Sequence, residues 1–124
     1  KMFEFYRSGG NPTMVQGMTV NPYLWSASLD LLSEYPLDIV ETDGGFISTE
    51  WIYDKNTPAQ RCMIKVVITS IELISTGVDV NLLCESKEND IWYQDDTEYT
   101  NDEKNLTLKI LEIANQLSLT EQLS

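Results

Sequence analysis

The chain contains no histidine. That removes the commonest general base near neutral pH and the commonest transition-metal ligand. Ser26, Ser28 and Ser48 therefore have no imidazole to activate them. Cysteine is scarce as well. Cys62 and Cys84 cannot supply a four-cysteine zinc site, and the mixed sites need histidine. No catalytic residue, transition-metal site or cofactor is expected. Bases are few, 8 Lys and Arg against 20 Asp and Glu, for a formal charge of −12. Such a surface repels nucleic-acid backbones and anionic headgroups, and no basic stripe interrupts it. Nucleic acid is therefore excluded as a partner. No apolar run approaches the roughly 18 residues of a membrane span, so no transmembrane segment is expected in this stretch. The first residue is Lys1 rather than methionine, so the natural chain is expected to begin upstream, which is where a signal peptide or lipid anchor would lie.

What is present reads as one domain of 124 residues, 42% hydrophobic and 23% charged, an ordinary globular composition. Residues 1–18 carry several glycines and a proline and are expected to form a flexible or edge arm; residues 19–124 form the single α+β domain. The first clear element is a helix. Asn21 is suited to cap it and Pro22 to occupy its first turn. Leu24, Ala27, Leu31 and Tyr35, with Trp25, Leu29 and Leu32, make a broad apolar face, and Ser26, Asp30 and Glu34 lie towards the other side. Pro36 forces the exit.

The stretch "LDIVETDGGFISTEWIYD" then reads as two strands joined at Asp43, Gly44 and Gly45. A phosphate loop would need a helix behind the glycines; here Phe46, Ile47 and Thr49 begin a strand. Strict alternation puts Ile47, Thr49, Trp51 and Tyr53 on one face, and the expectation is that the helices cover it, making Trp51 a core aromatic like Trp25. Two further strands follow, 61–73 and 78–86. Both cysteines fall on inward positions of these strands. Buried free thiols account for them, and a disulfide, which would favour an oxidising compartment, is the alternative.

Between Glu85 and Glu103 eight acids are met by Lys87 alone. This run reads as a solvated loop and helix start, within which Ile91, Trp92 and Tyr93 form a short edge piece or cap the core. Oxygen ligands at Asp90, Asp95, Asp96 and Glu98 would suit calcium, but not at helix–loop–helix spacing. An exposed Trp92 among these charges would mark an interface. Thr100 and Glu103 have capping-box spacing, and the last helix buries Leu106, Ile110, Ile113, Ala114 and Leu117, widened by Leu108 and Leu111. The expected fold is α+β: an antiparallel sheet of three to five strands, with the N-terminal and C-terminal helices packed on one face.

These blocks together resemble the bacterial family of domain of unknown function 3576. Asn21, Tyr23, Leu24, Trp25, Ala27, Ser28, Leu29 and Asp30 match its first block, and Pro36 and Leu37 its second. Gly44, Gly45, Ile47, Thr49, Trp51 and Tyr53 match the third; Arg61, Lys65 and Val66 match the fourth. Glu50 stands where the family has aspartate and Gln60 where it has glutamate, which weakens any fixed acid pair. The resemblance covers roughly residues 15–84. It implies a small secreted or lipid-anchored protein of the periplasm or the inner face of the outer membrane, and no activity.

A non-catalytic envelope protein, accessory or adaptor to an envelope partner, follows best. A module for small apolar ligands or lipids, using a groove between sheet and helix, is the second reading. A carboxylate-dependent hydrolase using Glu50 is the third; the plainer role for Glu50 is solvent exposure or a pair with Arg61 or Lys65. The candidate contact residues are Glu50, Trp51, Tyr53 and Trp92.

Overall fold

The computed structural model describes residues 20–95 and 97–123. The arm assigned to 1–18, and Asp96 among the candidate calcium ligands, lie outside the described residues. Helix α1 (Pro22–Leu32) is followed by strands β1 (Leu37–Glu41), β2 (Phe46–Thr49), β3 (Ile52–Asp54), β4 (Thr57–Ile68), β5 (Val78–Glu88) and β6 (Ile91–Gln94), then helix α2 (Thr100–Leu123). The sheet is antiparallel in order β1-β2-β4-β5-β6, with β3 also paired to β4. The sequence counts β2 and β3 as one strand; the structure interrupts it, and with the edge piece around Trp92 forming β6 the described residues make a six-stranded sheet.

Asn21 starts α1 as an N-cap. Its side-chain oxygen accepts from the amides of Tyr23 (2.9 Å) and Leu24 (3.0 Å), satisfying donors the helix cannot. Its amide and side chain also donate to the carbonyls of Ser70 and Ile71, tying the helix start to the β4–β5 connection. The helix is buried almost all round: every residue from Pro22 to Leu29 is buried, Ser26 included, and only towards its C-terminus does Asp30 reach solvent. The outward placement expected for Ser26 is thus corrected. α1 packs on α2 and against β2 and β4, while α2 lies along β5. One apolar cluster joins Leu24, Trp25 and Leu32 of α1, Ile110 and Ala114 of α2, and Ile47, Ile64, Val66, Val78 and Val80 of the sheet. Both helices therefore cover the same sheet face. On α2, Leu108 is exposed rather than part of the buried stripe.

The capping box at the start of α2 does not form. Glu103 accepts through its carboxylate from the Leu82 amide of β5 (2.9 Å). The physical reason is that β6 pairs only with the far end of β5, from Glu85 to Glu88. The rest of that edge needs another acceptor, and a buried strand amide left unpaired is costly.

Gly45 closes the β1–β2 hairpin at φ +66°, and its amide donates to Thr42. A Cβ there would stand 2.8 Å from Val20 Cγ1 and 3.1 Å from the Ile68 carbonyl, so both conformation and space require glycine. The structure thus places Asp43, Gly44 and Gly45 in a chain reversal between strands.

Cys62 and Cys84 are a disulfide. This overturns the reading as free thiols. Burial explains each cysteine alone, but the β4–β5 register sets them directly opposite, with Cα atoms 4.1 Å apart.

Candidate functional site: the sheet face opposite α1 and α2

The site begins with two irregularities of the sheet. Ile47 pairs with Val66 and Ile52 with Cys62. Four residues, 48–51, thus oppose three, 63–65. A side-chain period of two means that one extra residue reverses the face of everything beyond it. Ile47 and Ile52 consequently both face the helices, and Trp51 and Tyr53 face away. This corrects the expectation that Trp51 belongs to the core beside Ile47 and Thr49. Thr49 sits in the break, fully buried, and its hydroxyl accepts from the Ile64 amide (3.0 Å) while donating to the Glu50 carbonyl (2.8 Å). The second irregularity is on β1, where Leu37 pairs with Thr49 and Ile39 with Ser48, leaving Asp38 as the extra residue.

The two irregularities meet around one groove of about 300 Å³ lined by Asp38, Glu50, Trp51, Tyr53 and Met63. Bulges re-aim side chains, and here they bring two acids and two aromatics together. Glu50 is exposed. Neither Asp38 nor Glu50 has an ion-pair partner among the described residues. Of the two plain roles read for Glu50 from the sequence, solvent exposure agrees with the structure and pairing with Arg61 or Lys65 does not; Arg61 is held by Glu85 instead.

Arg61 occupies the centre of the adjoining cluster. Its guanidinium carbon lies 4.2 Å from the ring centroid of Trp51 and 4.1 Å from that of Trp92, so the cation is sandwiched between two indoles. Its Nε and Nη2 both donate to Glu85 Oε1, and Nη1 donates to the Tyr53 hydroxyl at 3.3 Å. Tyr53 meets Trp92 edge-on, with ring centroids 6.2 Å apart. The pairings Tyr53↔Arg61 and Arg61↔Glu85 form this row, and Trp92 pairs with Lys87. Trp92 is delivered by a two-residue reversal at Asn89 and Asp90, both with positive φ, a reversal that suits the twist of a hairpin. Burial pulls the Arg61 pKa down, but its bonds to Tyr53 and Glu85 outweigh this and leave it raised. The guanidinium is therefore a fixed positive charge, on a side chain only 17% exposed.

All four residues singled out from the sequence, Glu50, Trp51, Tyr53 and Trp92, lie on or beside this face. Asp38, Met63, Arg61 and Glu85 were not singled out as members. Their only signal is cross-strand register, which requires knowing which strands are neighbours. Among the described residues no group of three or more Asp, Glu or Cys could hold a metal ion, and no helix is long and apolar enough to cross a membrane.

Fold and site together define an α+β domain with two helices on one face of an antiparallel sheet and an aromatic, acid-edged surface on the other. The model of the family described as "Domain of unknown function (DUF3576)" matches residues 18–119, and the chain belongs to that family. A relative, "Uncharacterized protein RP420" of Rickettsia prowazekii (strain Madrid E), is 34% identical over 80 residues, which cover 64% of this chain and 48% of the relative. The matched stretch thus spans about half the length of that relative. No solved structure matches the chain.

Proposed function

We propose that this domain is a non-catalytic accessory or adaptor module of the bacterial cell envelope, and that it docks a partner protein on the sheet face opposite α1 and α2. The observation that carries this reading is the convergence of Trp51, Tyr53 and Trp92 on a face that neither helix covers. Tryptophan, tyrosine and arginine are the residue types most enriched at the energetic centres of interfaces, and Tyr53 is 54% exposed. An envelope location on the oxidising side of the inner membrane is supported by the Cys62–Cys84 disulfide, because such bonds persist where thiols are not kept reduced.

The apolar-ligand reading is less well supported. The groove opens on the face away from the helices, and two of its five lining residues are acids. The hydrolase reading relies on Glu50, which stands in solvent, whereas a general acid is ordinarily withdrawn from water.

The test is a photo-crosslinking residue placed at Tyr53, and separately at Glu112 on the exposed side of α2, in the host cell. A discrete envelope-protein adduct at position 53 and none at 112 is expected. Equal labelling from both positions, or adducts only with cytoplasmic proteins, would defeat the proposal.

A further inference from the structure

Resting on that docking reading, we infer that the groove beside Trp51 receives a lysine or arginine side chain from the partner segment. The lining side chains that carry hydrogen-bonding groups are Asp38 and Glu50 with their carboxylates, Tyr53 with its hydroxyl, Met63 with its weak thioether acceptor, and Trp51, whose indole N–H is a single neutral donor. The carboxylates accept hydrogen bonds and donate none, and an ammonium or guanidinium group donates and never accepts. The match is one of kind as well as of charge. Both carboxylates lack a cation among the described residues, and the whole chain carries −12, which steers a basic segment towards it. The protein already shows how this surface holds a cation, since Arg61 lies against Trp51 and Trp92 at about the contact distance of a stacked guanidinium. Arg61 itself is committed to Glu85 and Tyr53, so a second cation has only Asp38 and Glu50 to neutralise. The occupant belongs to a protein segment rather than a free amine, because exposed apolar surface adjoins the groove at Ile39, next to Asp38 on β1 and 38% exposed. A polypeptide covers that rim; a small polyamine leaves it wet.

The experiment is a ¹⁵N NMR titration of the chain, following the Trp51 indole N–H. The ligands are two blocked heptapeptides identical except for a central lysine or norleucine flanked by apolar residues, and spermidine. The lysine peptide is expected to shift the Trp51 indole saturably, with the norleucine peptide about tenfold weaker and the difference shrinking as salt rises. Asp38→Asn with Glu50→Gln, two polar isosteres at groove positions, should reduce the lysine peptide to the norleucine level while the far-ultraviolet circular dichroism is unchanged. Equal binding of both peptides would overturn the cation inference and leave the docking surface standing. Undiminished binding by the double variant would also overturn it. Spermidine binding as tightly as the lysine peptide would replace the protein segment with a small amine. No shift at Trp51 with any of the three would sink the docking surface as well.

Discussion

The Thr49 hydroxyl accepts the hydrogen bond from the Ile64 amide that a strand carbonyl would otherwise take. This contact allows β2 and β3 to share β4 while one residue is added between them. Thr49→Val keeps the shape and removes the acceptor, leaving a buried amide unsatisfied. The expected cost is about 1–3 kcal/mol, read by urea unfolding, with Thr49→Ser losing clearly less. A Val variant as stable as the parent would show that the break does not depend on this bond.

Trp25 and Trp51 should separate sharply. Trp25 is fully buried in the main cluster, and its replacement by alanine should cost about 3–5 kcal/mol. Trp51 is only half-buried and stacks on Arg61, so Trp51→Ala should cost no more than about 1–2 kcal/mol, the scale of a partly desolvated cation–π contact. Equal losses in denaturant unfolding would return Trp51 to the core.

Gly45→Ala combines positive φ with a Cβ against Val20 and the Ile68 carbonyl. A loss of about 1–3 kcal/mol is expected, against little change for Gly44→Ala, whose added Cβ would come within 3.7 Å of only the end of the Glu41 side chain among the described residues. The comparison of unfolding midpoints checks it.

Removing the disulfide, by reduction or by Cys62→Ala with Cys84→Ala, releases a loop closed across a sequence separation of 22. The expected loss is about 2–4 kcal/mol. Equal midpoints with and without reductant would contradict this.

Asp95 accepts from the Tyr99 hydroxyl (2.6 Å) and the Thr97 amide (2.9 Å), and these bonds hold its carboxyl below its ordinary pKa, the Tyr99 bond most. A depressed folded value means the stabilisation is present above the unfolded pKa and is lost as pH falls through the folded one. The loop before α2 should therefore loosen in acid. The same bond is the main reason the Tyr99 phenol is raised, so that side of the contact fails only in alkali. Carboxyl-carbon NMR of Asp95 should show the depressed titration, and Tyr99→Phe should move it upward. An unmoved midpoint in the Phe variant would remove Tyr99 as the cause.

The sequence by itself determined the elements whose signals are local. Asn21–Pro22 starts α1 because a cap and a missing amide act within one turn. The reversal between β1 and β2 follows from glycines between strand-like runs. The family blocks around Asn21, Gly45 and Tyr53 were legible for the same reason, since each is a contiguous stretch. The aromatic candidates were legible as residue types, but the surface they share was not. Only the tertiary structure decided it, because alternation carries a strand's facing forward from residue to residue, and one extra residue between Ile47 and Ile52 reverses it. Thr49 within that bulge accepts its bond from the Ile64 amide, fifteen residues away. Pairing across β4 and β5 likewise decided that Cys62 and Cys84 bond to each other and that Arg61 belongs to Glu85. Those partners are distant in the chain, and register brings them together only once the strands have found their neighbours.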